Sequence, residues 1–155
     1  MHALCAIVGR TLQDIDRCLQ DYQENEAWDY AMVGGRYCNL IPVNKKVKLI
    51  NSGGWPELPG ATDFPYPERM NANPNCKYTN IARIRNINHT ERIRMRDGGG
   101  LDILSPYNAI ICYPDGGYEW IDIDYGTQDD RDRFTDFVSH PCHSYWYVAV
   151  VDYHT

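Results

Sequence analysis

The apolar positions change period along the chain, and each change marks an element. His2 to Val8 is an almost unbroken apolar run stopped by Gly9-Arg10, which predicts a buried strand. From Thr11 the period becomes helical: Leu12, Ile15, Leu19 and Tyr22 share a face, with Asp14, Asp16, Arg17 and Gln20 between them. Thr11 with Asp14 three residues on is close to a capping box, and the helix is expected to end near Glu24-Asn25. Trp28 to Val33 reads as a strand broken by Gly34-Gly35, and an extended run resumes from Arg36 to Val43. Lys45, Lys46 and Lys48 around Val47 and Leu49 suit an exposed edge strand guarded by lysines.

Residues 51–75 break the pattern. Gly53, Gly54, Gly60 and five prolines exclude a long helix or a central strand, so a long Pro/Gly-rich loop insertion is expected. Trp55, Phe64 and Tyr66 would pack it on the body. Thr79 to Ile87 predicts a strand with Arg83 and Arg85 alternating outward. Arg92, Arg94 and Arg96 then follow at period two, and Gly98-Gly99-Gly100 is a flexible break. Tyr107 to Tyr113 and Tyr118 to Ile123 flank Pro114-Asp115-Gly116-Gly117, a hairpin with an Asp-Gly turn. Thr127 to Ser139 is a second helix, with Thr127 as cap, Asp129 and Asp130 in the first turn, and Phe134, Phe137 and Val138 as its apolar face. Tyr145 to Tyr153 is a last β-branched, aromatic strand. This order predicts one α+β domain over residues 1–155: a mainly antiparallel sheet with two helices on one face, in a ferredoxin-like variant whose first and last strands lie near the sheet centre.

At 155 residues the chain suits one hydrophobic core. Its net charge of -6 argues against a nonspecific nucleic-acid binder, so direct nucleic-acid binding is not expected. The same charge suits a protein that competes with nucleic acid for a basic partner. No stretch approaches the length of a membrane span, and the N-terminal run lacks the basic flank of a signal peptide. The six cysteines are scattered without a CxxC pair, which points to free thiols in a reducing cytoplasm.

Four places carry candidate chemistry. Gly34-Gly35-Arg36 offers close backbone approach and a guanidinium fork, but a strand follows instead of a helix, so this is no phosphate-cradling P-loop; the alternative is a bulge or tight turn. His140, Cys142, His143, Asp152 and His154 are metal-ligand types in a spacing that fits no common zinc module, and neither a metal nor a cofactor is expected. Arg83, Arg85, Arg92, Arg94 and Arg96 form a row that either meets phosphate or is a solvated, ion-paired face. Asp122, Asp124, Asp129 and Asp130 concentrate negative charge, and Asp122 with Asp124 would share a strand face.

The segments WDYAMVGGRY, ARIRNI, YNAIICYPDGGYEWI and VAVVDYHT resemble, in the same order, a family of small phage and bacterial proteins. That family carries a WDWY-x-I-GGRW segment, an AR strand, a PDG-x-W hairpin and a C-terminal VD-x-H motif. Tyr37 stands here for the family's second tryptophan and Tyr153 for its cysteine, so the resemblance implies no cysteine chemistry at the C-terminus. It implies an accessory protein of phages or mobile elements and no assigned reaction. The expectation is a non-enzymatic, anti-CRISPR-like inhibitor in the host cytoplasm. It would present Asp122, Asp124, Asp129 and Asp130 to a host protein or a protein–nucleic-acid defence complex. The alternative is a small enzyme or ligand-sequestering protein with a nucleotide- or phosphate-binding pocket built by Trp28, Asp29, Gly34, Gly35, Arg36, Asp152 and His154.

Overall fold

The computed structural model describes residues 2–35, 40–50, 75–88, 93–94, 100–101 and 108–155. The expected 51–75 insertion, all but its last residue, lies outside them, as do Arg36, Arg92 and Arg96. In chain order the elements are β1 (His2–Gly9), α1 (Leu12–Glu24), β2 (Tyr30–Val33), β3 (Ile41–Asn44), β4 (Cys76–Thr79), β5 (Ile81–Arg83), β6 (Ile93–Arg94), β7 (Gly100–Leu101), β8 (Asn108–Cys112), β9 (Tyr118–Asp122), α2 (Gln128–Ser139) and β10 (Tyr147–His154). The main sheet has the order β2-β10-β1-β8-β9, with β5 also pairing with β10. Only β1 and β8 are parallel, so the sheet is mixed and mainly antiparallel. The first and last strands occupy its centre, as the ferredoxin-like reading requires. β3 with β4, and β6 with β7, form two short separate ladders.

The two helices differ from expectation in one respect: they lie on opposite faces. Alternate residues of each central strand belong to different cores. Leu4, Ala6, Val8, Ala109, Ile111, Val148 and Val150 pack with Phe134 and Val138 of α2. Cys5, Ile7, Ile110, Cys112, Ala149 and Val151 pack with Ile15, Cys18 and Leu19 of α1. Topology explains this. β1 and β2 are both antiparallel to β10, so β1-α1-β2 is a parallel crossover that steps over β10. β9 and β10 are likewise parallel, so β9-α2-β10 steps over β8 and β1. Both connections move the same way across the sheet but leave strands of opposite direction. Right-handed crossovers then put the helices on opposite sides.

Local chemistry sets the boundaries. The Thr11 side chain accepts from Asp14 N and starts α1; Thr127 and Asp130 form a full capping box at α2. In the β8–β9 turn, Gly117 N donates to Asp115 Oδ1 at 2.8 Å and Gly116 takes a positive φ of 95°. Two expected strands are replaced. The 45–49 segment is a turn rather than an edge strand, because Asn44 Oδ1 accepts from Lys46 N and Asn44 O from Val47 N. The Thr79 to Ile87 run is cut at Asn80 into β4 and β5, then tightens into a 3-10 turn over Ile84–Asn86. Ile84 N and Arg85 N there donate to Trp146 O and Ser144 O, which diverts the chain from the sheet ladder.

Phe134 is fully buried at the centre of the α2-side core. Phe134→Ala is expected to cost about 3–5 kcal/mol of unfolding free energy through lost burial and a residual cavity. Urea denaturation measures it; a loss below about 1 kcal/mol would mean that α2 does not anchor this core.

Candidate functional site

The β2–β10 register decides where the suspected residues meet. Tyr30 lies opposite His154 and Met32 opposite Asp152. Just before β2, Asp29 N donates to His154 O at 3.0 Å, and Asp29 Oδ1 lies 2.8 Å from His154 Nδ1. Two main-chain and side-chain links therefore clasp the entry of β2 to the end of β10. Just after β2, Gly34 N donates to Val150 O at 2.8 Å, and the chain bends back over the sheet.

That bend requires glycine. Gly34 and Gly35 have φ of 80° and 53°, in the left-handed region. A Cβ on Gly35 would lie 2.6 Å from both Cβ and Oδ2 of Asp152, and one on Gly34 would lie 2.9 Å from Asn80 Nδ2. Asp152 itself is 1% exposed and partnered, as a carboxylate at that depth must be. The structure thus brings Asp29 to His154 and Gly35 to Asp152, while Arg36 lies outside the described residues. Trp28 goes elsewhere. It is buried on the α1 side, stacked on Tyr153 at 4.6 Å and tilted against Tyr22 at 4.7 Å.

Trp28 belongs to an aromatic cluster that the sequence pattern did not single out. Trp28 and Trp120 lie 6.2 Å apart by ring centroids and each lies within 4.6–6.1 Å of both Tyr22 and Tyr153, with Trp120 39% exposed at the rim. Asn108 Nδ2 donates to Tyr153 Oη at 2.5 Å. Beside it, Tyr118 Oη donates to Asp21 Oδ2 and accepts from Arg17 Nε. Burial pushes the Tyr22 and Tyr153 phenols up to about 12, and burial with Asp21 does the same for Tyr118. The period-two placement of Tyr118 and Trp120 was the available sequence signal, but their partners come from α1 and β10, far along the chain.

The carboxylates split into two groups. Asp122 and Asp130 are structural: Asp122 Oδ1 accepts from Tyr125 N at 2.9 Å, and Asp130 Oδ2 accepts from Thr127 N at 3.0 Å. The Thr127 backbone and hydroxyl donors hold the Asp130 carboxyl below its ordinary value. Asp124 and Asp129 are exposed. β9 ends at Asp122, so Asp124 sits in the following turn and not on a shared strand face. The turn is tight: a Cβ on Gly126 would lie 1.8 Å from Asp122 O, and Arg131 Nη1 donates to the carbonyls of Gly126 and Ile123. Its tip displays Tyr125 at 90% exposure.

The histidine and cysteine segment after α2 serves the backbone. His140 Nδ1 accepts from Cys142 N, and His143 stacks on Phe137 at 3.7 Å while its Nδ1 meets Phe137 O at 2.7 Å. Among the described residues no group of three or more His, Cys, Asp or Glu is placed to hold a metal ion. The described cysteines are free, and burial keeps the Cys5 thiol protonated, while contact with Cys18 and burial do the same for Cys112. No described helix is long and apolar enough to cross a membrane. A recess between the 43–50 segment and β5 has a volume of about 10 Å³, room for roughly one water and far too little for a small-molecule site. Compared with known proteins, the chain matches no family model, no curated protein and no solved structure.

Two outcomes follow from this geometry. Gly35→Ala is expected to lose roughly 2–4 kcal/mol of stability, combining left-handed strain with displacement of Asp152. Gly116→Ala, where nothing lies within 4 Å, is expected to lose only about 1 kcal/mol. Equal losses by chemical denaturation would remove the special role of Gly35. The raised tyrosines predict alkaline behaviour: an unfolded phenol ionises near 10 and these near 12, so the stability they support is complete below about pH 10 and is lost between about pH 10 and 12. Tyrosinate absorbance should show a late-titrating fraction coincident with unfolding. A single titration near 10 with the fold intact is the contrary result.

Proposed function

We propose that the chain is a non-enzymatic binding protein, of the phage or mobile-element accessory kind, that inhibits a host defence complex by docking an acidic, tyrosine-tipped surface onto a basic partner. One observation carries this reading: Tyr125 stands 90% exposed on a turn that Asp122, Gly126 and Arg131 hold rigid, between the exposed Asp124 and Asp129. A fixed, solvent-facing tyrosine needs little ordering on binding, and tyrosine is a frequent anchor of interfaces. The flanking carboxylates steer a basic surface toward it. The resemblance to small phage and bacterial proteins supports the accessory context.

The alternative pocket around Arg36 and His154 draws on the Asp29–His154 and Gly35–Asp152 contacts. Those contacts also serve as clasps between β2 and β10, and so favour the pocket less than Tyr125 favours docking.

The test titrates purified protein into reconstituted defence nucleases, RNA-guided effectors among them, and follows both binding and cleavage. One of them should be bound and slowed by the wild type. Tyr125→Ala should weaken that binding about 30-fold, and the double variant Asp124→Lys, Asp129→Lys should slow association and remove its salt dependence. No inhibition of any nuclease, or full inhibition by the charge-reversed variant, would overturn the proposal.

A further inference from the structure

A second surface opposes the first in charge. Segments 40–50 and 75–88 carry Lys45, Lys46, Lys48, Lys77, Arg83 and Arg85 and contain no Asp or Glu. No described carboxylate lies within ion-pair distance of Arg83 or Arg85. The net charge of -6 therefore conceals a local excess of cations, and it is local potential that a charged ligand meets.

The two arginines are interleaved with aromatic rings. Arg83 faces Tyr147 across the β5–β10 ladder, its guanidinium 4.5 Å from that ring and 5.8 Å from the ring of Tyr145. Arg83 Nη1 also donates to Tyr145 O at 2.8 Å. Arg85 lies over Tyr145 at 4.7 Å. The Arg83 fork is therefore held before any ligand arrives, which lowers the entropy cost of using its remaining donors. Tyr145 is 60% exposed, and Arg85 is exposed beside it. A shallow recess next to them is edged by Lys48, Arg83 and Asn86.

We propose that this patch binds single-stranded nucleic acid, with Tyr145 stacking a base and Arg83, Arg85 and Lys48 meeting the phosphates. An exposed ring amid guanidinium groups that no described carboxylate pairs is the chemistry single strands need: a flat surface for an unstacked base and cations along the backbone. Duplexes are disfavoured, since their bases are not available for stacking and no described helix projects from the patch to enter a groove. The site is separate from the Tyr125 surface and stands or falls without it.

Fluorescence anisotropy of the full chain with a labelled oligothymidylate of about 12 nucleotides, the matching RNA and a duplex tests the assignment. The single strands should bind saturably at low salt and more tightly than the duplex. Tyr145→Ala should weaken binding about tenfold or more, and Tyr145→Trp should retain it and report contact by quenching. Arg85→Gln should weaken binding and lower the log–log salt slope by about 0.7 for the phosphate contact removed. Both side chains are exposed, so unchanged thermal unfolding confirms that the variants are folded. Tyr125→Ala and the charge-reversed acidic variant should bind the strands at least as well as the wild type. Absence of saturable binding, preference for the duplex, or full binding by folded Tyr145→Ala overturns the proposal.

Discussion

The register of β10 is the constraint on which the rest of the molecule rests. Its eight residues pair with all of β1 on one side and with β5 and β2 in succession on the other. A slip of one residue would exchange Val148, Val150 and Asp152 with Ala149, Val151 and Tyr153 across the sheet. Asp152 would then leave the Gly34-Gly35 bend for the α1-side core, and Tyr153 would lose its stack on Trp28. Both faces of the sheet are covered by helices, so neither exchange could be absorbed by solvent. Burial on two sides thus fixes one pairing, and that pairing in turn fixes where the GG and DYH motifs touch.

Those contacts change the meaning of the motifs. Gly34 and Gly35 are glycine because the backbone passes against Asn80 and Asp152, with positive φ at both. His154 and Asp29 close the same pair of strands at its other end. A phosphate cradle would need backbone N–H groups converging on open space, as a helix start supplies; Gly34 N instead donates to Val150 O. Asp122 and Asp130 likewise have a second task, because each accepts a hydrogen bond that shapes the turn that raises Tyr125.

Much of the fold was legible because it is written locally. Thr11 and Thr127 cap the two helices, Asp115-Gly116-Gly117 turns the hairpin, and the apolar periods of β1, α1 and β10 are long enough to be unambiguous. What was not legible depends on pairing between distant segments. The opposite placement of α1 and α2 follows from β2 lying beyond β10, which no local pattern encodes. The cut at Asn80 reflects a change of partner, β4 pairing with β3 and β5 with β10, and the turn at 84–86 follows from Ile84 and Arg85 bonding to the 144–146 segment. The aromatic cluster unites Tyr22, Trp28, Trp120 and Tyr153 from four elements, and the arginines 83 and 85 find tyrosines 145 and 147 some sixty residues away, a separation of the kind seen in the Arg83–Tyr145 bond. Periodicity showed that Arg83 and Arg85 alternate outward, but not what they would meet.

The two exposed tyrosines bracket α2: Tyr125 precedes it and Tyr145 follows it. The helix between them has 12 residues and is about 18 Å long. Asp129 and Asp130 sit at the positive N-terminal end of α2, where the helix dipole favours them. Tyr147, which Arg83 faces, packs instead with the α1-side core. On the two proposals, a partner that engages both surfaces would present positive protein charge and nucleic-acid phosphate. That combination occurs where a nucleic-acid strand leaves a basic binding groove. A purely proteinaceous partner would use the acidic end alone and leave the cations idle. A free strand would use the basic end alone and be repelled by the other. Taken together, the two proposals would suit a protein–nucleic-acid complex better than either component by itself.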